Sequence, residues 1–239
     1  PRCWKRSGHG SLNVSEAITN SCNVFFYEVG YQLGLNGDKY DQDLGNEKLA
    51  KYASMYGLNE KSGIEIEESE PQISDALSVV SAIGQGTNNF TTVGLARYVT
   101  TVANSGTCYD LTLLDKVTDT SGNLLVNYSA NVRNTIDMPQ SYWNAIHQGM
   151  RGVVQNKKYY QDFGVEVAGK TGTAEEDKSR PNHGLFVGYA PYDNPEVSMA
   201  IRIANGYSSD YACQLSKQLM TVYFDLDENG ALTASQTAL

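Results

Sequence analysis

The chain has 239 residues, 41% of them hydrophobic and 19% charged, enough to bury a proper core in one large domain or two small ones. Its 27 acidic and 18 basic side chains leave a net charge of -9, which argues against nucleic acid or an anionic membrane surface as the partner, because both need a basic face. The longest apolar run, near Leu77 to Ile83, falls far short of the roughly 20 residues of a membrane span.

No signal peptide is visible, and Pro1 does not read as a natural start, so a signal or anchor is expected in a segment ahead of it. Residues 3–10 read as a loop, and Ser15-Glu16-Ala17-Ile18 as a short helix start. Ser21 is a suitable cap for a helix beginning at Cys22, with Phe26, Val29, Gly30 and Leu33 on its buried face and Gly34 as its stop. A second helix runs from Asn46 to Tyr56 with Leu49, Tyr52, Ala53 and Tyr56 on one side and Gly57 ending it. Glu65 to Glu70, then Pro71, reads as an exposed acidic connection.

Ile83-Gly84-Gln85-Gly86 is a tight turn, and Thr92 opens a helix whose stripe is Leu95, Ala96, Val99, Val102 and Ala103. Leu111 to Thr118 and Leu124 to Val126 flank Thr120-Ser121-Gly122-Asn123 as a hairpin. Met138-Pro139 begins another helix, with Tyr142, Ile146, Gly149, Met150 and Val153 inward. Three strands follow: the first through Val165, Val167 and Gly169 to Lys170, then Leu185 to Ala190, then Val197 to Ala204, with Asp193-Asn194-Pro195 turning the last pair. They form an antiparallel meander. A closing helix carries Ala212, Leu215, Leu219 and Val222, and a polar tail from Asp225 is expected to fray. Helices first, adjacent strands next and a helix last make the fold class α+β, an antiparallel sheet packed with helices. Residues 1–224 read as one domain part and 225–239 as the tail.

Two stretches carry chemistry. In Lys170-Thr171-Gly172-Thr173 a lysine stands off one face of a strand, and Gly172 between two hydroxyl residues leaves the backbone open. Such an edge suits an extended substrate ending in a carboxylate, bound by strand addition. An ordinary strand end is the bland alternative. In Ser21-Cys22-Asn23 a hydroxyl and an amide two residues apart can point into one cleft, where Ser relays a proton and Asn holds a carbonyl or a lysine. Against this stands a plain helix cap with a satisfied amide.

Taken together, Ser21-Cys22-Asn23 and Lys170-Thr171-Gly172-Thr173 resemble the second and third motifs of the penicillin-binding proteins, S-x-N and K-T-G, which act with an S-x-x-K. Trp4-Lys5-Arg6 with Gly8-His9-Gly10, Phe25-Phe26-Tyr27, Ile83-Gly84-Gln85-Gly86, Ala103-Asn104-Ser105-Gly106 and Phe186-Val187-Gly188-Tyr189-Ala190-Pro191 also resemble class B members, in the same order and through nearly the whole chain to about Tyr223. The resemblance implies a penicillin-binding transpeptidase or serine β-lactamase-like fold, incomplete at the N-terminus. It implies a serine D,D-transpeptidase that cross-links peptidoglycan stem peptides through an acyl-enzyme and is trapped by β-lactams. It further implies an extracytoplasmic, membrane-anchored parent of elongation or sporulation type, with cell-wall synthesis proteins as partners. Ser21 would shuttle the proton towards the leaving group, Asn23 would bind the substrate's peptide and steady the catalytic lysine, and Lys170 would assist the relay. Thr171, Gly172 and Thr173 would receive the substrate, the two hydroxyls its carboxylate, and the Thr173 N–H would be an oxyanion donor.

One departure matters: no Ser-x-x-Lys occurs in the chain. The nucleophile is expected in a missing N-terminal half of the same domain, and the isolated chain is expected to be inactive. The alternatives are a β-lactam sensor or β-lactamase-like hydrolase, and a non-catalytic cell-wall scaffold. No cofactor is required by the reaction. Cys3, His9 and Cys22 offer two thiols and an imidazole that would meet if the first loop folds back, a donor set zinc favours. A Cys3–Cys22 disulfide and simple packing of the thiols remain open beside it. Cys108, Cys213 and His147 read as structural, and His183 as a cleft-lining or solvated residue.

Overall fold

The computed structural model describes residues 2–227 and 229–232. The chain starts with helix α1 (Val14–Thr19). Its cap is Asn13 rather than Ser15: the Asn13 side chain accepts from the Glu16 N–H while the Glu16 carboxylate accepts from the Asn13 N–H. Ser15 lies inside the helix and donates to the Ala145 carbonyl at 2.7 Å. Helix α2 (Asn23–Leu33) begins at Asn23 with no side-chain cap, so Ser21 does not have the capping role expected of it. Only Gly30 of its face is fully buried, and Val29 is exposed.

A small hairpin, β1 (Leu35–Asn36) and β2 (Lys39–Tyr40), leads to α3 (Gln42–Met55), capped by Asp41 a full turn ahead of the expected start. Tyr52 faces outward on α3. Within the acidic connection Glu68 is buried and accepts from the N–H and hydroxyl of Ser62, both at 2.8 Å, so that part is folded inward. The apolar run near Leu77 becomes the one-turn α4 (Ser78–Ser81), on which Gly30 packs. Helix α5 (Thr92–Ala103), capped by Thr91, starts and ends as the periodicity predicts. Its interior also holds Arg97, fully buried and donating to the carbonyls of Gly57, Glu60 and Lys61. A buried cation is tolerable there because carbonyl oxygens replace its water.

Four short strands follow: β3 (Thr107–Asp110), β4 (Lys116–Thr118), β5 (Leu124–Asn127) and β6 (Asn131–Thr135). The expected hairpin is the β4–β5 pair, with its first strand starting at Lys116 rather than Leu111, and β3 pairs with β6 around it. Helix α6 (Gln140–Gln155) buries Trp143, Gly149, Met150, Val153 and Val154; Trp143 is 2% exposed where the expected Tyr142 is 60% exposed.

After a 3-10 turn at Lys158–Tyr160 comes the three-stranded antiparallel sheet β7 (Ala168–Ala174), β8 (His183–Ala190) and β9 (Val197–Ile203), in that spatial order. The last helix is α7 (Ser209–Tyr223). One face of the sheet packs Val167, Phe186, Met199 and Ile201 against Ala212, Cys213 and Met220 of α7. The opposite face packs Ala168, Val187 and Tyr189 against Val99 and Val102 of α5 and Met150 of α6. Helix α7 is turned from the expected register: Ala212, Cys213, Ser216 and Met220 are inward, whereas Leu219 and Val222 face out. The stretch after α7 is packed up to residue 232, since Leu226 is buried and the Gly164 N–H donates to the Gly230 carbonyl at 2.6 Å. Of the 225–239 tail, residues 228 and 233–239 lie outside the described residues.

Candidate active site

Strand β7 is paired only with β8, so its other edge is open among the described residues. Alternation along the strand sends Ala168 and Lys170 to the α5–α6 side and Val167 and Gly169 to the α7 side. Gly169 is required by packing: a Cβ there would come within 2.3 Å of the Phe186 ring. Gly172 is not, since a Cβ there would meet Leu185 at an ordinary 3.4 Å. The core leaves that position free for another use.

Ser21 lies in the break between α1 and α2. Its N–H donates to the Ile18 carbonyl at 3.1 Å, and its φ of 47° is in the left-handed region that a non-glycine residue adopts at a cost. The Trp4 indole N–H holds this break by donating to the carbonyls of Asn20 and Ser21 at 3.2 and 3.1 Å. This turn swings the Ser21 hydroxyl away from the helix start and towards the sheet. Lys170 Nζ reaches it at 3.0 Å and also donates to its neighbour's carbonyl, Thr171 O, at 2.9 Å.

Burial lowers the Lys170 pKa from its usual 10.5 to about 8, and the Lys157 charge adds to the effect. Lys157 is itself held by Asp210 at 2.8 Å. An amine that is partly neutral near pH 8 can take a proton as well as lend positive potential. Asn23 is the first residue of α2, two positions from the hydroxyl, and its side-chain amide makes no hydrogen bond among the described residues. Thr171 and Gly172 are half-buried along the open strand, and Thr173 is exposed. The two stretches singled out in the sequence therefore converge. Lys157 and Asp210 were not legible as contributors, because a solvated Lys–Asp pair has no sequence pattern.

Beside this pair, the first loop folds back over the start of α2. The Cys3, His9 and Cys22 ligand atoms all lie within 4.8 Å of one another, with Cys3 Sγ 3.5 Å from His9 Nδ1. Tetrahedral zinc with thiolate and imidazole ligands separates them by about 3.5–3.8 Å, so the cluster has nearly the needed size. Cys3 and Cys22 are free thiols, and His9 Nε2 is buried with no partner among the described residues. Burial acts to raise the Cys3 thiol, yet the N–H groups of Lys5, Asn23 and Val24 and the Cys22 thiol together bring it below its ordinary value. Cys108 and Cys213 are fully buried, and His147 donates from Nε2 to the Val102 carbonyl at 2.7 Å, all structural as expected. His183 is buried at the start of β8 rather than solvated.

Residues 2–221 match the family model of the penicillin-binding protein transpeptidase domain. Among curated relatives, the chain is 28% identical to peptidoglycan D,D-transpeptidase MrdA of Haemophilus influenzae over 94% of this chain and 38% of that protein. It is 29% identical to stage V sporulation protein D of Bacillus subtilis over 85% of this chain and 32% of that one. The chain thus spans about two-fifths or less of the length of these relatives. Among solved structures, Pseudomonas aeruginosa PBP2 in complex with WCK 5153 superposes with a TM-score of 0.79 at 25% identity, covering 100% of this chain and 55% of that one. Penicillin-binding protein 2B of Streptococcus pneumoniae superposes with a TM-score of 0.75 at 23% identity, covering 91% and 40%, a likeness of fold.

Proposed function

The chain belongs to the class B penicillin-binding protein transpeptidase family, and on that premise we propose that it supplies one wall of the active site of a peptidoglycan D,D-transpeptidase. The observation that carries this reading is the 3.0 Å contact between Lys170 Nζ and Ser21 Oγ. A longer protein containing these residues contributes the nucleophilic serine of S-x-x-K, which this chain lacks. That serine attacks the carbonyl of a D-Ala-D-Ala stem peptide, an acyl–oxygen bond forms, and the bond to the terminal D-alanine nitrogen breaks. The proton that the attacking serine gives up to the lysine of its own motif passes through the Ser21 hydroxyl to that nitrogen, and Lys170 assists the relay. An acceptor amine then resolves the acyl-enzyme.

In this reading the donor peptide lies along the open edge of β7 as an added strand. Thr171 and Thr173 receive its carboxylate, Gly172 lets its backbone approach, and the free amide of Asn23 binds a peptide carbonyl. The Thr173 N–H is one oxyanion donor, a role whose loss costs about a hundredfold or more. A β-lactam enters in place of the dipeptide and stays attached. Residues 1–224 are the C-terminal part of the transpeptidase domain in this reading. No described helix is long and apolar enough to cross a membrane. The site works outside the cytoplasmic membrane, with the anchor and the contacts to other cell-wall synthesis proteins on the rest of the parent.

The test is the intact mass of the full-length parent after exposure to penicillin, with turnover followed in parallel. A stable adduct supports the transpeptidase. Rapid turnover points to a β-lactamase, and no adduct at all to a cell-wall scaffold. The isolated chain forms no adduct.

We also propose that Cys3, His9 and Cys22 bind zinc, with a carboxylate or water as fourth ligand, and that the ion fixes the first loop over the Ser21 turn. The spacing of their ligand atoms supports this. The ion takes no part in the acyl transfer.

A further inference from the structure

His183 joins two loops that leave the same end of the sheet. It is 7% exposed and sits opposite Ala174, the last residue of β7. Its Nδ1 accepts from the backbone N–H of Asn205 at 3.0 Å. A backbone N–H can only donate, so Nδ1 carries no proton and the neutral ring holds its proton on Nε2. There the Glu176 carboxylate accepts at 2.5 Å. Glu176 belongs to residues 175–182, which follow β7 directly, and Asn205 to the turn between β9 and α7.

That turn is strained: Asn205 and Tyr207 have φ of 52° and 61°. The Tyr207 N–H donates back to the Asn182 carbonyl at 3.0 Å, closing the two loops on each other a second time. The charged groups facing the imidazole are Glu176, Arg202 and Arg180; Arg202 Nη2 lies 3.1 Å from Nε2, but since both carry protons it does not hydrogen-bond the ring, and like Arg180 it acts on the Glu176 carboxyl. By strand alternation His183 projects from the same sheet face as Lys170, four residues further along β7. Thr173 immediately precedes the residue His183 faces.

We propose that His183 is a positioning residue: as a neutral, Nε2-protonated latch it ties residues 175–182 to the 204–208 turn and so holds the end of β7 where an extended substrate leaves the strand edge. This rests on the transpeptidase reading and adds a residue to it. Losing the latch frees the strand end, which weakens binding of the peptide or β-lactam without changing the chemical step.

The experiment uses the full-length protein and two readouts. Hydrogen exchange read by mass spectrometry follows peptides covering 175–182 and 204–208. Penicillin acylation is resolved into a dissociation constant and a first-order acylation rate. Glu176 has a side chain 65% exposed, so Glu176→Ala leaves the fold intact. In that variant residues 175–182 exchange faster, and the dissociation constant rises about tenfold while the acylation rate stays within about twofold. Glu176→Gln keeps an acceptor for Nε2–H and restores both towards wild type, and His183→Ala frees both loops. Unchanged exchange and affinity in Glu176→Ala, or a fall in the acylation rate with affinity unchanged, overturns the latch. If the unmodified protein forms no adduct, it is the transpeptidase reading that fails, and the exchange data still decide the latch.

Discussion

The Lys170 ammonium and the Ser21 hydroxyl meet at 3.0 Å across 149 residues of sequence. The contact exists because Ser21 takes a left-handed backbone conformation in the α1–α2 break and because β7 carries its lysine to the α5–α6 face of the sheet. Each half alone has a mundane explanation. Their meeting is what supports the proposed proton relay over a helix cap and a strand end.

Lys170 makes stability depend on pH in a defined window. Its folded pKa is about 8 against 10.5 for the free side chain. Below pH 8 both states hold the proton, and the full cost of burying the charge is present. Between 8 and 10.5 the unfolded chain binds a proton that the folded one has released, so this group's contribution to stability rises with pH, by up to about 3 kcal/mol. Denaturant titrations from pH 7 to 11 show that rise, and Lys170→Met flattens it. An unchanged curve in the variant contradicts the burial argument.

In the proposed relay Ser21 trades stability for chemistry. Ser21→Gly and Ser21→Ala both lose the acceptor for Lys170, but only glycine relieves the left-handed strain, so Ser21→Gly is more stable than Ser21→Ala by about 0.5–1 kcal/mol. In the full-length parent either change slows penicillin acylation by about a hundredfold. A variant that is destabilised and fully active points instead to a structural serine.

The two glycines of β7 separate packing from function. Gly169→Ala drives a methyl into the Phe186 ring and costs about 2–3 kcal/mol, read as a lower midpoint in urea. Gly172→Ala meets only Leu185 at an ordinary distance and changes stability by less than about 0.5 kcal/mol. It nevertheless crowds the strand edge, and acylation falls tenfold or more. Equal stability losses in the two variants contradict the assignment of Gly172 to the substrate.

Zinc at Cys3, His9 and Cys22 is tested by metal content of the purified protein. One ion per chain is expected, together with a lower Tm on chelation and a smaller chelation effect in His9→Ala. A metal-free protein with free thiols, or one with a Cys3–Cys22 disulfide, rules the site out.

Periodicity read α5 and the β7–β8–β9 meander because apolar residues recur on their inward faces, from Val99 and Val102 to Val197, Met199 and Ile201, although it passed over the buried Arg97 and Thr101 of α5. It misread α7, where Leu219 and Val222 are as apolar as anything inside but small Ala212 and Cys213 pack in the cluster with Phe186 and Ser216 meets the Tyr160 hydroxyl at 2.8 Å. Tyr142 lost to Trp143 for the same reason: hydrophobicity does not say which neighbouring ring faces in. At the site, Ser21, Asn23 and Lys170 were legible as candidate residue types. The Ser21 backbone conformation was not, because left-handed serine has no sequence signature. The His183 latch depends on a main-chain donor 22 residues away, which no side-chain pattern announces.

The most direct measurement is the penicillin acylation rate of the full-length parent, followed by intact mass in wild type, Lys170→Ala and Ser21→Ala. The account predicts a single adduct in wild type and rates lower by about a hundredfold or more in both variants. Acylation at the wild-type rate in either variant would contradict a shared proton relay between residues 21 and 170.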